Sequence, residues 1–145
     1  MSFDYQNGRL RIGPFDTDNG MLLPFGVYTG TLNFPSRSTG SSTAAWEVAT
    51  NAATGIDSRA SFALGMCQLS ASGYFTTNWY GFGGSGVPVW IDNGPGGFDA
   101  KYQVWSLITG SNLQIRGRQY ISNHSTVGSS TLSYRIALLG FANKT

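Results

Sequence analysis

The stretch TLSYRIALLGFA (131–142) sets Leu132, Tyr134, Ile136 and Leu138 on every second position. A period of two is the mark of a half-buried β-strand, because successive side chains leave opposite faces. NLQIRGRQYIS (112–122) follows the same rule, with Leu113 and Ile115 inward and Gln114, Arg116 and Arg118 outward. AKYQVWSLI (100–108) splits into Tyr102, Val104 and Ser106 on one face and Gln103, Trp105 and Leu107 on the other. GRLRIGPF (8–15) opposes Leu10 and Ile12 to Arg9 and Arg11. Other strand signals are less regular. MLLPFGVYTGTLNF (21–34) is apolar but interrupted by Pro24, Gly26 and Gly30, which suggests one or two short strands around a turn. ASFALGMCQLSA (60–71) alternates weakly and suggests a strand kinked at Gly65. GYFTTNWYGF (73–82) is a strand by its aromatic and β-branched content. VPVWI (87–91) suggests a short edge strand, because Pro88 cannot donate to a ladder. AAWEVATNAAT (44–54) fits helix or strand.

Turn chemistry separates these segments. TGSN (109–112) between two alternating stretches signals a hairpin. SRSTGSST (36–43) and SNHSTVGSST (122–131) are polar loops. About eight to ten short strands at close spacing, with no sustained helical period, predict an all-β protein. The favoured form is an antiparallel β-sandwich, jelly-roll-like, as one domain over 1–145 with an N-terminal arm over 1–20.

Composition supports that picture. The charged share is 11%, low against the roughly 25% typical of globular chains, and long wet helices would need more. Aromatic residues make up 14%, too heavy a hydrophobic load for a disordered chain. The nine Lys and Arg are scattered and give a net charge of +2, without the dense basic stripe of a nucleic-acid binder. Arg116 and Arg118 are two apart on one strand face, where a solvated or ion-paired role is expected. Cys67, the single cysteine, lies in the apolar run FALGMCQL and is expected in the core. MSFDYQNGRLRIG has no apolar segment of the kind that leads secretion, and no run approaches the ~18 residues of a membrane span. The expectation is synthesis in a cytosol, no membrane span and no bound nucleic acid.

Candidate chemistry is sparse. One His and one Cys exclude a zinc site of ordinary ligand spacing. A Ser-His-Asp triad would have to use His124, and there is no GxSxG elbow. DTDNG (16–20) starts like a calcium loop, but Met21 and Val27 stand where that loop needs Gly and Glu. GFGGSG (81–86) spells GxGxxG, yet the proline-containing VPVWI that follows cannot be the helix that a phosphate cradle requires. No catalytic residue and no cofactor are expected. A hydrolase built on Asp92 or Asp99 would lack an evident acid–base partner. The aromatic crowd Tyr74, Phe75, Trp79, Tyr80, Phe82, Trp90 and Phe98 is either core or interface filling, or a platform for sugar stacking. In the sugar reading the ligand-binding residues are Trp79, Tyr80, Trp90 and Asn93.

The order of the second half resembles a known class. KYQVWSLITGSNLQIRGRQYIS (101–122) gives a strand, a short turn and an L-x-I strand at Leu113–Ile115. A polar loop follows, then a Y-x-I strand at Tyr134–Ile136, and the N-terminal RLRIGPFD (9–16) stands as a short lead-in. This resembles the small β-sandwich domains of tailed-bacteriophage virion proteins, over residues 60–142. The final strand is also similar to that of hexameric snail-agglutinin lectins. The first resemblance implies a non-enzymatic virion structural protein, a tail or fibre component or a capsid decoration protein. Its partners would be copies of itself, a trimer being the expected form, other virion proteins, and a host-surface glycan. The alternative is a lectin-like carbohydrate-binding module.

Overall fold

A computed structural model describes residues 3–6, 9–12, 15–16, 22–71, 74–75, 78–84, 89–93 and 100–141. Among the described residues every regular element is a strand, and all pairing is antiparallel. Strands β1 (Phe3–Gln6), β2 (Arg9–Ile12) and β3 (Phe15–Asp16) form a small meander of their own. Two larger sheets carry the core. Sheet I has the order β4-β14-β7-β8, from β4 (Leu22–Phe34), β14 (Ser130–Phe141), β7 (Ala60–Ala71) and β8 (Tyr74–Phe75); β9 (Tyr80–Phe82) also pairs with β7. Sheet II has the order β10-β11-β12-β6, from β10 (Val89–Asn93), β11 (Ala100–Thr109), β12 (Asn112–Ile121) and β6 (Ala44–Thr54). The short ribbon β5 (Arg37–Ser38) with β13 (Thr126–Val127) joins the two polar loops.

The outer pairings are nested as in a jelly roll: the first long strand pairs with the last, β4 with β14, and β6 pairs with β12. The middle of the chain departs from that plan. Strand β7 turns back within its own sheet to β8 and β9, and β10, β11 and β12 run as a consecutive meander.

Alternation places the core. Tyr102 and Val104 of β11 and Leu113, Ile115 and Ile121 of β12 are fully buried. They face Leu32 and Phe34 of β4, Cys67 and Leu69 of β7, and Leu132, Ile136 and Leu138 of β14. Phe34 meets Tyr102 edge-on, ring centroids 5.0 Å apart. Strand β12 has Gly117 against the Phe34 and Leu32 side chains of sheet I; a methyl group there would stand 2.5 Å from the Phe34 ring and 2.8 Å from Leu32. The β11–β12 hairpin turns over Gly110 and Ser111, with Gly110 at φ 58°, a conformation side-chain-bearing residues rarely adopt.

Three local expectations are corrected. MLLPFGVYTGTLNF contains one long strand, β4, and its interruption is absorbed as a register shift opposite Leu138/Leu139. Strand β7 is not kinked at Gly65: its register runs unbroken from Phe62 to Ala71, and the shift lies opposite Leu139/Gly140. Each polar loop contributes one strand of the β5–β13 ribbon, stitched by Thr39 N–H to the Ser125 carbonyl (2.9 Å) and His124 N–H to the Gly40 carbonyl (2.7 Å). AAWEVATNAAT, open between helix and strand, is strand β6.

Candidate functional site

Strand β9 pairs Tyr80 with Cys67, Gly81 with Met66 and Phe82 with Gly65. Directly paired residues share a face. Tyr80 and Phe82 therefore follow Cys67 and Gly65 inward, and Gly81 follows Met66 outward. Phe82 is buried with its ring over Gly65, where only a residue without a side chain leaves room. The next residue, Gly83, fastens this edge to sheet II: its carbonyl accepts both the backbone N–H and the hydroxyl of Ser106, each at 2.9 Å. The neighbour on the other side, Trp79, is exposed, with the Arg135 guanidinium 5.0 Å from its ring centroid.

Arg135 sits in the middle of the outer face of sheet I. Across the three long strands one row is Thr29, Arg135, Met66 and the next is Val27, Ala137, Leu64. Beyond them come Pro24, Leu139 and Phe62, with Phe62 against Phe141 at 6.3 Å. In the opposite direction the face turns hydroxylic: Thr31, Ser133, Gln68, then Asn33, Thr131, Ser70, with the Thr131 hydroxyl 3.1 Å from Asn33 Oδ1. The apolar half is open to solvent: Val27 is 72% exposed, Leu64 56%, Met66 49% and Trp79 37%. Val27, Leu64, Met66, Arg135 and Ala137 line a shallow depression in it. Four neighbouring exposed apolar side chains are more than the single scattered ones ordinary on a protein surface.

The residues expected to bind sugar are distributed as follows. Trp79 belongs to this face. Tyr80 is half-buried against the core. Trp90 and Asn93 lie on β10, in register with Gln103 and Ala100 at the edge of sheet II; their side chains lie outside the described residues. Strands β9 and β10 run beside each other at one rim, so the four positions share a neighbourhood of backbone. Alternation nevertheless turns Trp79 and Tyr80 to opposite sides.

The outer face of sheet II is ion-paired. Glu47 on β6 accepts from Arg116 at 3.3 Å and from Arg118 at 3.1 Å, which is the role expected for the two arginines. Arg118 also lies 5.8 Å from the Trp105 ring centroid. Hydrogen bonding to Tyr120 and then to Glu47 holds its pKa above the ordinary value. Cys67 is buried, as expected, and burial pushes its thiol up to about 12, which leaves no nucleophile at neutral pH. His124 is exposed in its loop. Among the described residues no three His, Cys, Asp or Glu gather as metal ligands, and no helix is long and apolar enough to cross a membrane.

Val27, Leu64, Met66, Arg135 and Ala137 were not singled out from the sequence. The signal that could have found them is the loss of alternation in FALGM (62–66) and IALLGF (136–141), where apolar residues occupy both faces. Comparison of the chain with profiles of known families, with curated proteins and with solved structures gives no match.

Proposed function

We propose that the protein is a non-enzymatic structural component of a tailed-phage virion, in its tail, fibre or capsid decoration, and that it acts in assembly or attachment as a homotrimer. The observation that supports this is the apolar half of the outer face of sheet I, where Val27, Leu64, Met66 and Trp79 meet solvent. Burying a large aliphatic side chain contributes about 1.5–3 kcal/mol, so several of them covered together at a contact between copies would favour assembly. Arg135 is the only charged residue in the two central rows, and its cation is already placed over Trp79, so a neighbouring copy would desolvate little charge. Sedimentation velocity tests the proposal. The wild-type chain should run as an oligomer at micromolar concentration, and Leu64→Glu should reduce its mass. A monomer with or without that substitution overturns it.

The exposure of Trp79 favours one further reading, a lectin-like module that stacks a sugar on that ring. Glycan-array binding lost on Trp79→Ala, with the far-UV spectrum retained, would establish it. Silence across the array would remove it.

A further inference from the structure

The N-terminal arm expected over 1–20 contains the meander β1–β2–β3, and among the described residues its strands pair only with one another. The register sorts its positions onto two faces. Phe3, Ile12 and Phe15 form one row, and Tyr5 and Leu10 form the next row on the same face. The opposite face takes Asp4, Arg11 and Asp16 in one row and Gln6 and Arg9 in the other. All the positions of the first face are apolar or aromatic, and all but Gln6 of the second are charged. A sheet sorted in this way must lay its apolar face on another element, because a single layer has no interior of its own.

The chain holds a second surface with the same need. In the apolar half of the outer face of sheet I, Val27 is 72% exposed and Leu64 56%, so the chain's own meander does not cover it. The meander is nevertheless tethered beside that half. Strand β3 ends at Asp16 and β4 begins at Leu22, which pairs with Phe141 at the end of sheet I where Phe62 lies.

We propose that the meander of one copy lays its apolar face on the apolar half of sheet I of the next copy. Each copy then gives an arm to one neighbour and receives an arm from another. The contact joins two different surfaces, so it is heterologous and can repeat around a ring. Charge selects this occupant over a second sheet I. Packing sheet I on sheet I about a two-fold would bring two Arg135 cations into one interface and leave the apolar face of the meander bare. The apolar face of the meander brings no charge to meet Arg135. The exchange rests on the assembly reading above and names what covers the same face.

Complementation between two full-length variants tests it by sedimentation velocity, with the far-UV spectrum as the check on folding. Leu10→Glu spoils the arm and keeps the face; Leu64→Glu spoils the face and keeps the arm. Each alone should run as a monomer. Their equimolar mixture should run as a dimer, because one intact arm then meets one intact face. Arg11→Ser, on the polar face of the meander, should leave the wild-type oligomer intact. If Leu10→Glu stays oligomeric while Leu64→Glu is a monomer, arm exchange is overturned and assembly through sheet I stands. If both are monomers and the mixture stays monomeric, or if Arg11→Ser dissociates the oligomer as fully as Leu10→Glu, arm exchange is likewise overturned. A wild-type monomer removes both readings.

Discussion

Replacing Tyr102 with phenylalanine deletes one oxygen from the middle of the core, and the surrounding geometry sets the cost. The Tyr102 hydroxyl lies 2.6 Å from Ser130 Oγ and 3.2 Å from Gln119 Nε2, and Tyr102, Gln119 and Ser130 are all buried. Gln119 Oε1 already has no partner among the described residues. Removing the hydroxyl therefore leaves both neighbours without this partner in a place water does not reach. An orphaned buried group costs about 1–3 kcal/mol, and with two affected the loss should be roughly 2–4 kcal/mol. For a domain of this size that is a fall in Tm of about 4–16 °C. The triple variant Tyr102→Phe, Gln119→Leu, Ser130→Ala removes every member of the network, leaves no orphan, and should be more stable than the single variant. Urea unfolding of both, followed by tryptophan fluorescence, supplies the comparison through the midpoint at constant m. The reasoning is wrong if Tyr102→Phe costs less than about 0.5 kcal/mol, or if the triple variant is the weaker of the two.

Phe82→Ala should cost about 3–5 kcal/mol by emptying the site over Gly65, and should also shift the emission of Trp79, seen as a change absent in the Trp79→Phe background. Gly117→Ala should destabilise by about 1–3 kcal/mol through overpacking against Phe34 and Leu32; calorimetry showing a rise in Tm would contradict the close approach there. Cys67, its thiol pushed up to about 12 by burial, should resist alkylation in the native protein at pH 8 and react only as denaturant unfolds the chain. Asp57 accepts hydrogen bonds from the side chain and backbone of Arg59, which hold its carboxyl at about 2 against the ordinary 3.8. Because the folded value is depressed, its contribution is present above the ordinary value and is lost as pH falls through about 2. NMR titration should find that low value, and Arg59→Ala should return it toward 3.8.

The strands that alternate cleanly were legible from sequence and the less regular ones only in part, for one physical reason. Strands β11, β12 and β14 have neighbours on both sides and one face in the core, so burial dictates an alternating pattern that the residues record. Strand β6 lies at an edge with half-buried inward residues, and its small residues satisfy helix and strand propensity alike. The interruption in MLLPFGVYTGTLNF looked like a turn because Pro24 and Gly26 punctuate local structure, but pairing with β14 outweighs local propensity and turns it into a register shift. Gly65 looked like a kink because a glycine in a strand often is one; the reason for it, the Phe82 ring, lies seventeen positions away and appears only once β9 folds back. The aromatic cluster could be counted but not oriented. Which of Trp79 and Tyr80 faces out depends on the register of β9 against β7, and a slip of one residue would exchange them.

The face of sheet I is graded, apolar from Val27 to Phe62 and hydroxylic from Thr31 to Ser70, so one copy offers two chemically different halves to its neighbours. Such a surface suits a heterologous contact, which closes into a ring only if the rotation permits. The proposed trimer would be a ring of that kind, whereas an isologous contact through the same face would stop at a dimer. The mass in solution thus separates the two without any ligand. Leu64→Glu, which sets a carboxylate in the apolar half of the face, should reduce the ring to monomers. A wild-type dimer would show the contact to be isologous and the ring to be wrong.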